Sequence, residues 1–116
     1  MIKQMKNKIQ NYLEKIPSHK EGIIWSKNSD GIVTLQMQNK GLANKIAQKL
    51  LKKPKISYIH LEQFGSFIWQ QIDGKQDIMT IGKAVSERFG DEAEPLYERL
   101  AQYIKTLESN GFVLVN

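Results

Sequence analysis

The hydrophobic pattern changes its period near Leu61, and this change constrains the fold more than any other feature. In Gly31–Gln38 apolar and polar residues alternate, which is typical of a half-buried β-strand. In Leu61–Ile72 (LEQFGSFIWQQI) the apolar residues recur every three or four positions, which is typical of a helix facing a core. The chain therefore combines a small sheet with helices that follow it, and we expect an α+β fold.

Three strands are predicted before the change of period. Gly22–Lys27 and Gly31–Gln38 form a hairpin, because the Asn-Ser-Asp-Gly turn between them tolerates the positive φ that such turns need. Lys55–Leu61 is rich in β-branched and aromatic residues and predicts a third strand. Between the second and third strands, Gly41–Lys53 predicts a basic helix whose lysines form a solvated face.

Helices are predicted at both ends of the chain. Residues 1–17 form an amphipathic helix that Pro17 ends, and Asp77 caps a helix that runs from Ile78 to Phe89. A last helix ends at Asn110 and precedes a short strand or extended tail. Residues 18–21 are predicted to be a polar connection.

The order of these elements predicts a single winged helix-turn-helix-like domain over residues 1–116. We expect a small antiparallel three-stranded sheet packed on a three-helix C-terminal bundle. Residues 1–17 add an N-terminal helix, residues 22–61 hold the sheet with its inserted basic helix, and residues 62–116 hold the bundle and tail.

Composition narrows the class of protein. The chain has 116 residues, of which 41% are hydrophobic and 25% charged, as in an ordinary folded domain. It has no Cys, which excludes disulfides, thiol catalysis and cysteine-ligated metals. No apolar run is long enough to span a membrane, and the N-terminus lacks the apolar centre of a signal peptide. We therefore expect a cytoplasmic protein.

Residues that could carry catalysis are few. His19 and His60 lie far apart in the sequence and have no metal-ligand motif around them. Asp73, Asp77 and Asp91 stand where helix caps belong, and no Gly-rich phosphate loop is present. The chain is predicted to be a binding module and not an enzyme, with no cofactor and no metal.

The C-terminal half carries an ordered set of motifs that resembles a known family. It contains a glycine inside a helix, a tryptophan four residues later, an Asp-Gly turn, a second helix and a Gly-Phe ending. These are Gly65, Ile68, Trp69, Asp73, Gly74, Ile78–Phe89, Leu107, Gly111 and Phe112. In this order and spacing they resemble the coenzyme PQQ synthesis protein D (PqqD) family and related precursor-peptide recognition domains.

The resemblance implies a peptide-binding accessory protein, or chaperone. Such proteins bind the leader of a ribosomally made precursor peptide and present it to a modifying enzyme, often a radical S-adenosylmethionine enzyme. The leader adds as a strand beside the third strand, in a groove that the last helix floors. Carried over to this chain, the peptide-binding residues are Lys55, Ile56, Ser57, Tyr58, Ile59, His60, Tyr97, Ala101 and Ile104.

Two structural questions and one rival function remain open from the sequence. The inserted basic helix either leaves the edge of the third strand free or covers it, and residues 1–17 either expose or cover the apolar margin of the last helix. The rival function is a winged-helix nucleic-acid-binding protein, suggested by a net charge of +5. Specific DNA reading is disfavoured because the last helix has mixed charge, and residues 40–55 are rich in Lys but lack Arg.

Overall fold

The computed structural model describes residues 9–38 and 56–116. Lys55 and the predicted basic helix Gly41–Lys53 lie outside these ranges. The chain divides into two compact units, one formed by Met1–Glu21 with Phe67–Asn116, the other by Gly22–Ser66. The division falls inside a helix, between Ser66 and Phe67.

The elements follow one another along the chain after a short helical stretch at residues 9–13. A turn of 3-10 helix, Gly90–Ala93, separates the last two helices. The strands and helices are β1 (Pro17–His19), β2 (Ile24–Lys27), β3 (Val33–Gln38), β4 (Ile56–His60), α1 (Gln63–Gln71), α2 (Ile78–Phe89), α3 (Leu96–Ser109) and β5 (Val113–Val115).

The unit Gly22–Ser66 is built on a three-stranded antiparallel sheet in the order β2-β3-β4. The predicted hairpin and third strand are therefore confirmed. In the turn of the hairpin, the Asn28 side chain accepts hydrogen bonds from the backbone N–H groups of Asp30 and Ile32, at 2.9 and 3.0 Å. Gly31 has a φ of 81°, the left-handed conformation that its lack of a Cβ allows.

The first residues of the other unit differ from the prediction. The N-terminal helix was expected to reach Pro17, but helix ends at residue 13. Pro17 instead begins β1, which pairs with β5 in an antiparallel two-stranded sheet. The pairing extends to Ile16 and Asn116, whose backbone groups exchange hydrogen bonds of 2.8 and 3.2 Å. Three residues are too few to show a hydrophobic period, and the partner of β1 lies at the other end of the chain. The sequence therefore contains no local signal for this strand.

Helices α1 and α2 agree closely with the sequence. Helix α1 is slightly shorter than predicted, and the side chain of Asp77 caps α2 by accepting the N–H of Thr80 at 2.8 Å. In the predicted apolar stripe of α2, Ile78, Ile81 and Val85 are buried and Phe89 is half-buried. Together with residues from α1, α3 and β5 the three buried residues form the core of this unit, which includes Ile68, Trp69, Ile72, Ile78, Ile81, Val85, Leu96, Leu100, Ile104, Leu107, Phe112 and Val113.

Helix α3 begins at Leu96, after a cis peptide bond between Glu94 and Pro95. The chain thus mixes helices with antiparallel sheets, as an α+β fold requires. Within residues 9–38 and 56–116, no helix combines the length and the apolar character that crossing a bilayer demands.

Candidate functional site

Strand β4, which was predicted to dock a peptide, is an edge strand among the described residues. It pairs with β3 on one side, and no strand of the described chain pairs with its other side. In the register, Leu35 lies opposite Ile59 and Gln36 opposite Tyr58. This register determines which backbone groups of β4 point toward β3 and which point outward.

The backbone groups that point outward belong to alternate residues. The N–H of Leu61 donates to the carbonyl of Val33 at 2.8 Å, so this pair is of the hydrogen-bonded type. Since hydrogen-bonded and non-hydrogen-bonded pairs alternate in an antiparallel ladder, Ser57 and Ile59 also bond to β3. The outer edge of β4 therefore presents the N–H and C=O groups of Ile56, Tyr58 and His60.

The side chains of β4 divide between two faces of the sheet. Ser57 and Ile59 share a face with fully buried Val33 and Leu35. On the opposite face lie the side chains of Ile56, Tyr58 and His60, and those of Tyr58 and His60 are exposed. There the Thr34 hydroxyl and Nδ1 of His60 form a hydrogen bond of 2.8 Å across the strands.

A buried serine closes the end of the β3–β4 ladder. Ser66 Oγ accepts the N–H of Val33 at 2.8 Å and donates to the carbonyl of Leu61 at 3.1 Å. The hydroxyl thus replaces one of the two direct hydrogen bonds that Val33 and Leu61 would exchange. Since these groups are buried, Ser66 satisfies polar atoms that water does not reach.

The predicted contact residues on α3 differ in exposure. Ala101 is 6% exposed and Ile104 is fully buried, so both lie in the core of their unit. Tyr97 is half-buried, and its ring lies against Gly82 of α2. A Cβ on Gly82 would stand 2.6 Å from Cε1 of Tyr97, so the missing side chain makes room for the ring. Of the three, only Tyr97 shows part of its side chain at the surface.

The N-terminal segment reaches the C-terminal part of α3. Nζ of Lys105 lies 4.9 Å from the centroid of the Tyr12 ring, a cation–π distance. Burial, together with the negative charge of Glu108, raises the pKa of Tyr12 to about 12. The sequence left open whether residues 1–17 expose or cover the last helix, and this contact shows that Tyr12 lies against α3.

The Asp-Gly turn after α1 is a hydrogen-bonded turn. Oδ1 of Asp73 accepts the backbone N–H groups of Lys75 and Gln76, at 2.8 and 2.9 Å. The bonds from Gln76 and Lys75 hold the pKa of Asp73 below its usual value. Gly74 has a φ of 76° and donates its N–H to the carbonyl of Pro17 at 3.1 Å. Asp73 and Gly74 thus shape the chain, as the sequence predicted.

The described residues include His, Asp and Glu side chains of the kinds that ligate metals. No set of three or more His, Asp or Glu side chains there is arranged to bind an ion. The arrangement offers instead an exposed β-strand edge and a helix with a partly exposed tyrosine.

Sequence reasoning missed two features of this site. It did not find Ser66, because a serine in the first turn of a helix has no signal that separates a bridging hydroxyl from a solvated one. It also did not determine which residues of β4 point outward, since that depends on the register with β3. The strand itself was found, although Lys55 lies outside the described residues.

Comparison with known proteins gives one family. The family model of coenzyme PQQ synthesis protein D (PqqD) matches residues 36–113, which is more than half of the chain and includes β4 and α3. No significant match was found among curated proteins or solved structures. The match agrees with the motifs between Gly65 and Phe112, and the chain therefore belongs to the coenzyme PQQ synthesis protein D (PqqD) family.

Proposed function

We propose that this protein binds the leader of a ribosomally made precursor peptide and presents it to a modifying enzyme. At the level of the family, PqqD proteins are non-catalytic accessory proteins of PQQ synthesis with a peptide-binding role. The proposal adds the leader as ligand, strand addition as binding mode, and a radical S-adenosylmethionine enzyme as candidate partner.

The observation that carries the proposal is the outer edge of β4. Ile56, Tyr58 and His60 direct backbone donors and acceptors away from β3. An added strand would bond to these groups, and backbone hydrogen bonds of this kind supply affinity in strand-addition complexes. A single winged helix-turn-helix-like domain, with ligand contacts at Tyr97, Ala101 and Ile104, stays a prediction. Because Ala101 and Ile104 are buried, Tyr97 is the one of the three whose side chain is open to a ligand.

Amide hydrogen exchange tests the binding mode residue by residue. The probe is a synthetic leader of a short precursor peptide, to be sought among the genes that neighbour this one. Without the peptide, the amides of Ser57 and Ile59 are already protected by β3, while those of Ile56, Tyr58 and His60 exchange faster. Strand addition should slow exchange at the second set only. Protection confined to α3, or to residues 1–35 that precede the family match, would exclude strand addition on β4.

Two variants at one position separate the backbone from the side chain. Tyr58→Pro removes an outward N–H, a position at which an edge strand tolerates proline. Tyr58→Val keeps that N–H and a strand-forming side chain. Loss of one backbone hydrogen bond of about 1 kcal/mol should weaken leader binding about fivefold more in the proline variant than in the valine variant. Equal circular-dichroism spectra and melting temperatures of the two variants serve as the folding control.

Presentation to an enzyme needs its own test. A modifying enzyme found among the neighbouring genes should act faster on its full-length precursor when this protein is added. At a protein concentration below saturation, the acceleration should be smaller with Tyr58→Pro than with Tyr58→Val. An unchanged rate, despite leader binding to the wild-type protein, would exclude the presenting role and leave only peptide binding.

A further inference from the structure

Among the described residues, strand β4 carries none of the side chains that usually protect an edge strand. Natural sheets commonly shield an exposed edge with charged side chains or proline, which discourage pairing with other chains. The residues of β4, Ile56–His60 (ISYIH), contain no Lys, Arg, Asp, Glu or Pro. At the other edge of the sheet, β2 carries Lys27. Lys and Pro residues precede β4 at positions 52–55, but within the strand no residue opposes pairing at its edge.

The most exposed large apolar side chain among the described residues stands in the centre of this unprotected strand. Tyr58 is 59% exposed, although aromatic residues usually bury most of their surface. The hydrogen bond between Thr34 and His60 holds a neighbouring side chain on the same face. Tyr58 itself lies opposite Gln36, so its directly opposed residue on β3 is polar.

The backbone of Tyr58 points outward at the same position. A residue of an added strand directly opposite Tyr58 would place its side chain on the same face of the sheet, because opposite residues share a face. Its side chain would therefore lie beside the exposed ring, about 5 Å away at Cβ. Aromatic and β-branched side chains make the most favourable cross-strand pairs with tyrosine.

We infer that Tyr58 is a specificity-determining residue, which selects an aromatic or β-branched apolar residue at one position of the bound strand. This inference rests on the proposed function. It adds that the solvent-facing side of β4 contributes to recognition, beside any contact made on the buried side. The ligand is then a peptide with one such residue opposite Tyr58 and no requirement for charge at that position.

Selection from a library of random short peptides displayed on phage tests the inference without a known ligand. Wild-type protein, Tyr58→Ser and Tyr58→Phe are screened in parallel. Ile24→Ser is the matched control, since Ile24 is a similarly exposed apolar residue (52%) on the same face but on β2. Peptides selected by the wild type, Tyr58→Phe and Ile24→Ser should share an aromatic or β-branched residue at one position. Those selected by Tyr58→Ser should lose that preference alone.

Affinity and exchange measurements then distinguish the two proposals. A wild-type-selected peptide should bind Tyr58→Ser up to about fivefold more weakly, as expected for one cross-strand pair, and Tyr58→Phe with little change. If selected peptides protect the amides of Ile56, Tyr58 and His60 but Tyr58→Ser keeps the same preferences, the role of Tyr58 is wrong and the proposed function stands. If no selected peptide or leader protects these amides, strand addition and the inference both fail.

Discussion

The imidazole of His19 stacks on the indole of Trp69, with 3.8 Å between ring centroids and 6° between ring planes. Nε2 of His19 also lies 2.9 Å from the carbonyl oxygen of Trp69 and donates a hydrogen bond to it. Trp69 is fully buried near the end of α1, so His19 links β1 to one of the last carbonyls of that helix.

Replacement of His19 should destabilise the protein measurably. His19→Ala removes one hydrogen bond and one stacked pair, and we expect the free energy of unfolding to fall by about 1–2 kcal/mol. His19→Phe keeps an aromatic ring but removes the hydrogen bond, and should lose about half as much. Urea unfolding followed by circular dichroism measures both, with exposed Lys20→Ala as control. Equal stability of His19→Ala and wild type would contradict the structural role.

From the sequence, His19 was predicted to lie in a polar connection and not in a strand. The reason is that sequence patterns detect local structure but not pairing between distant segments. Helix α2 could be found because its apolar spacing and its cap at Asp77 are local signals. Strand β1 could not, because its partner β5 is almost a hundred residues away and its three residues show no pattern. The residues of β4 that point outward could not be predicted either, since the register depends on two strands and not on one.

Loss of the buried hydroxyl of Ser66 should weaken the three-stranded sheet. Ser66→Ala leaves the N–H of Val33 and the carbonyl of Leu61 without the oxygen that bridges them. An unsatisfied buried polar group costs about 1–3 kcal/mol, and we expect a loss of stability in this range. Ser26→Ala, at an exposed position on β2, should change the free energy of unfolding by less than about 0.5 kcal/mol. A similar small change for Ser66→Ala would mean that the sheet closes by direct bonding.

A side chain at Gly82 should conflict with Tyr97. Gly82→Ala places a methyl group within 2.6 Å of Cε1 of Tyr97, and overpacking of this kind costs about 1–3 kcal/mol. The same change gains about 1 kcal/mol in helix propensity. We therefore expect a net loss of up to about 2 kcal/mol in the wild type but a gain of up to about 1 kcal/mol in a Tyr97→Ala background.

Thermal and urea unfolding of the four proteins in this cycle measure the coupling between the two positions. Glu87→Ala, at an exposed position of α2, controls for the effect of alanine on the helix. If Gly82→Ala has the same effect with and without the tyrosine ring, the two residues are not coupled, and the close approach does not contribute to stability.

The cap of α2 should make part of the stability depend on pH. The side chain of Thr80 and its backbone N–H bond to Asp77 and hold its pKa below the usual value. A lowered carboxyl pKa means that the contribution is complete above the pKa of an unfolded aspartate, about 4, and is lost as pH falls through the folded pKa. At neutral pH, Asp77→Ala should cost about 1 kcal/mol, as loss of an N-cap does.

Asp77→Asn removes the charge but keeps the cap, because the amide oxygen can still accept the N–H of Thr80. The difference in unfolding free energy between wild type and Asp77→Asn should be constant from neutral pH down to about pH 5 and shrink below about pH 4. Asp73, whose pKa is also lowered, is present in both proteins and cancels in this difference. A difference that does not change in acid would show that the capping oxygen alone, and not its charge, stabilises the first turn of α2.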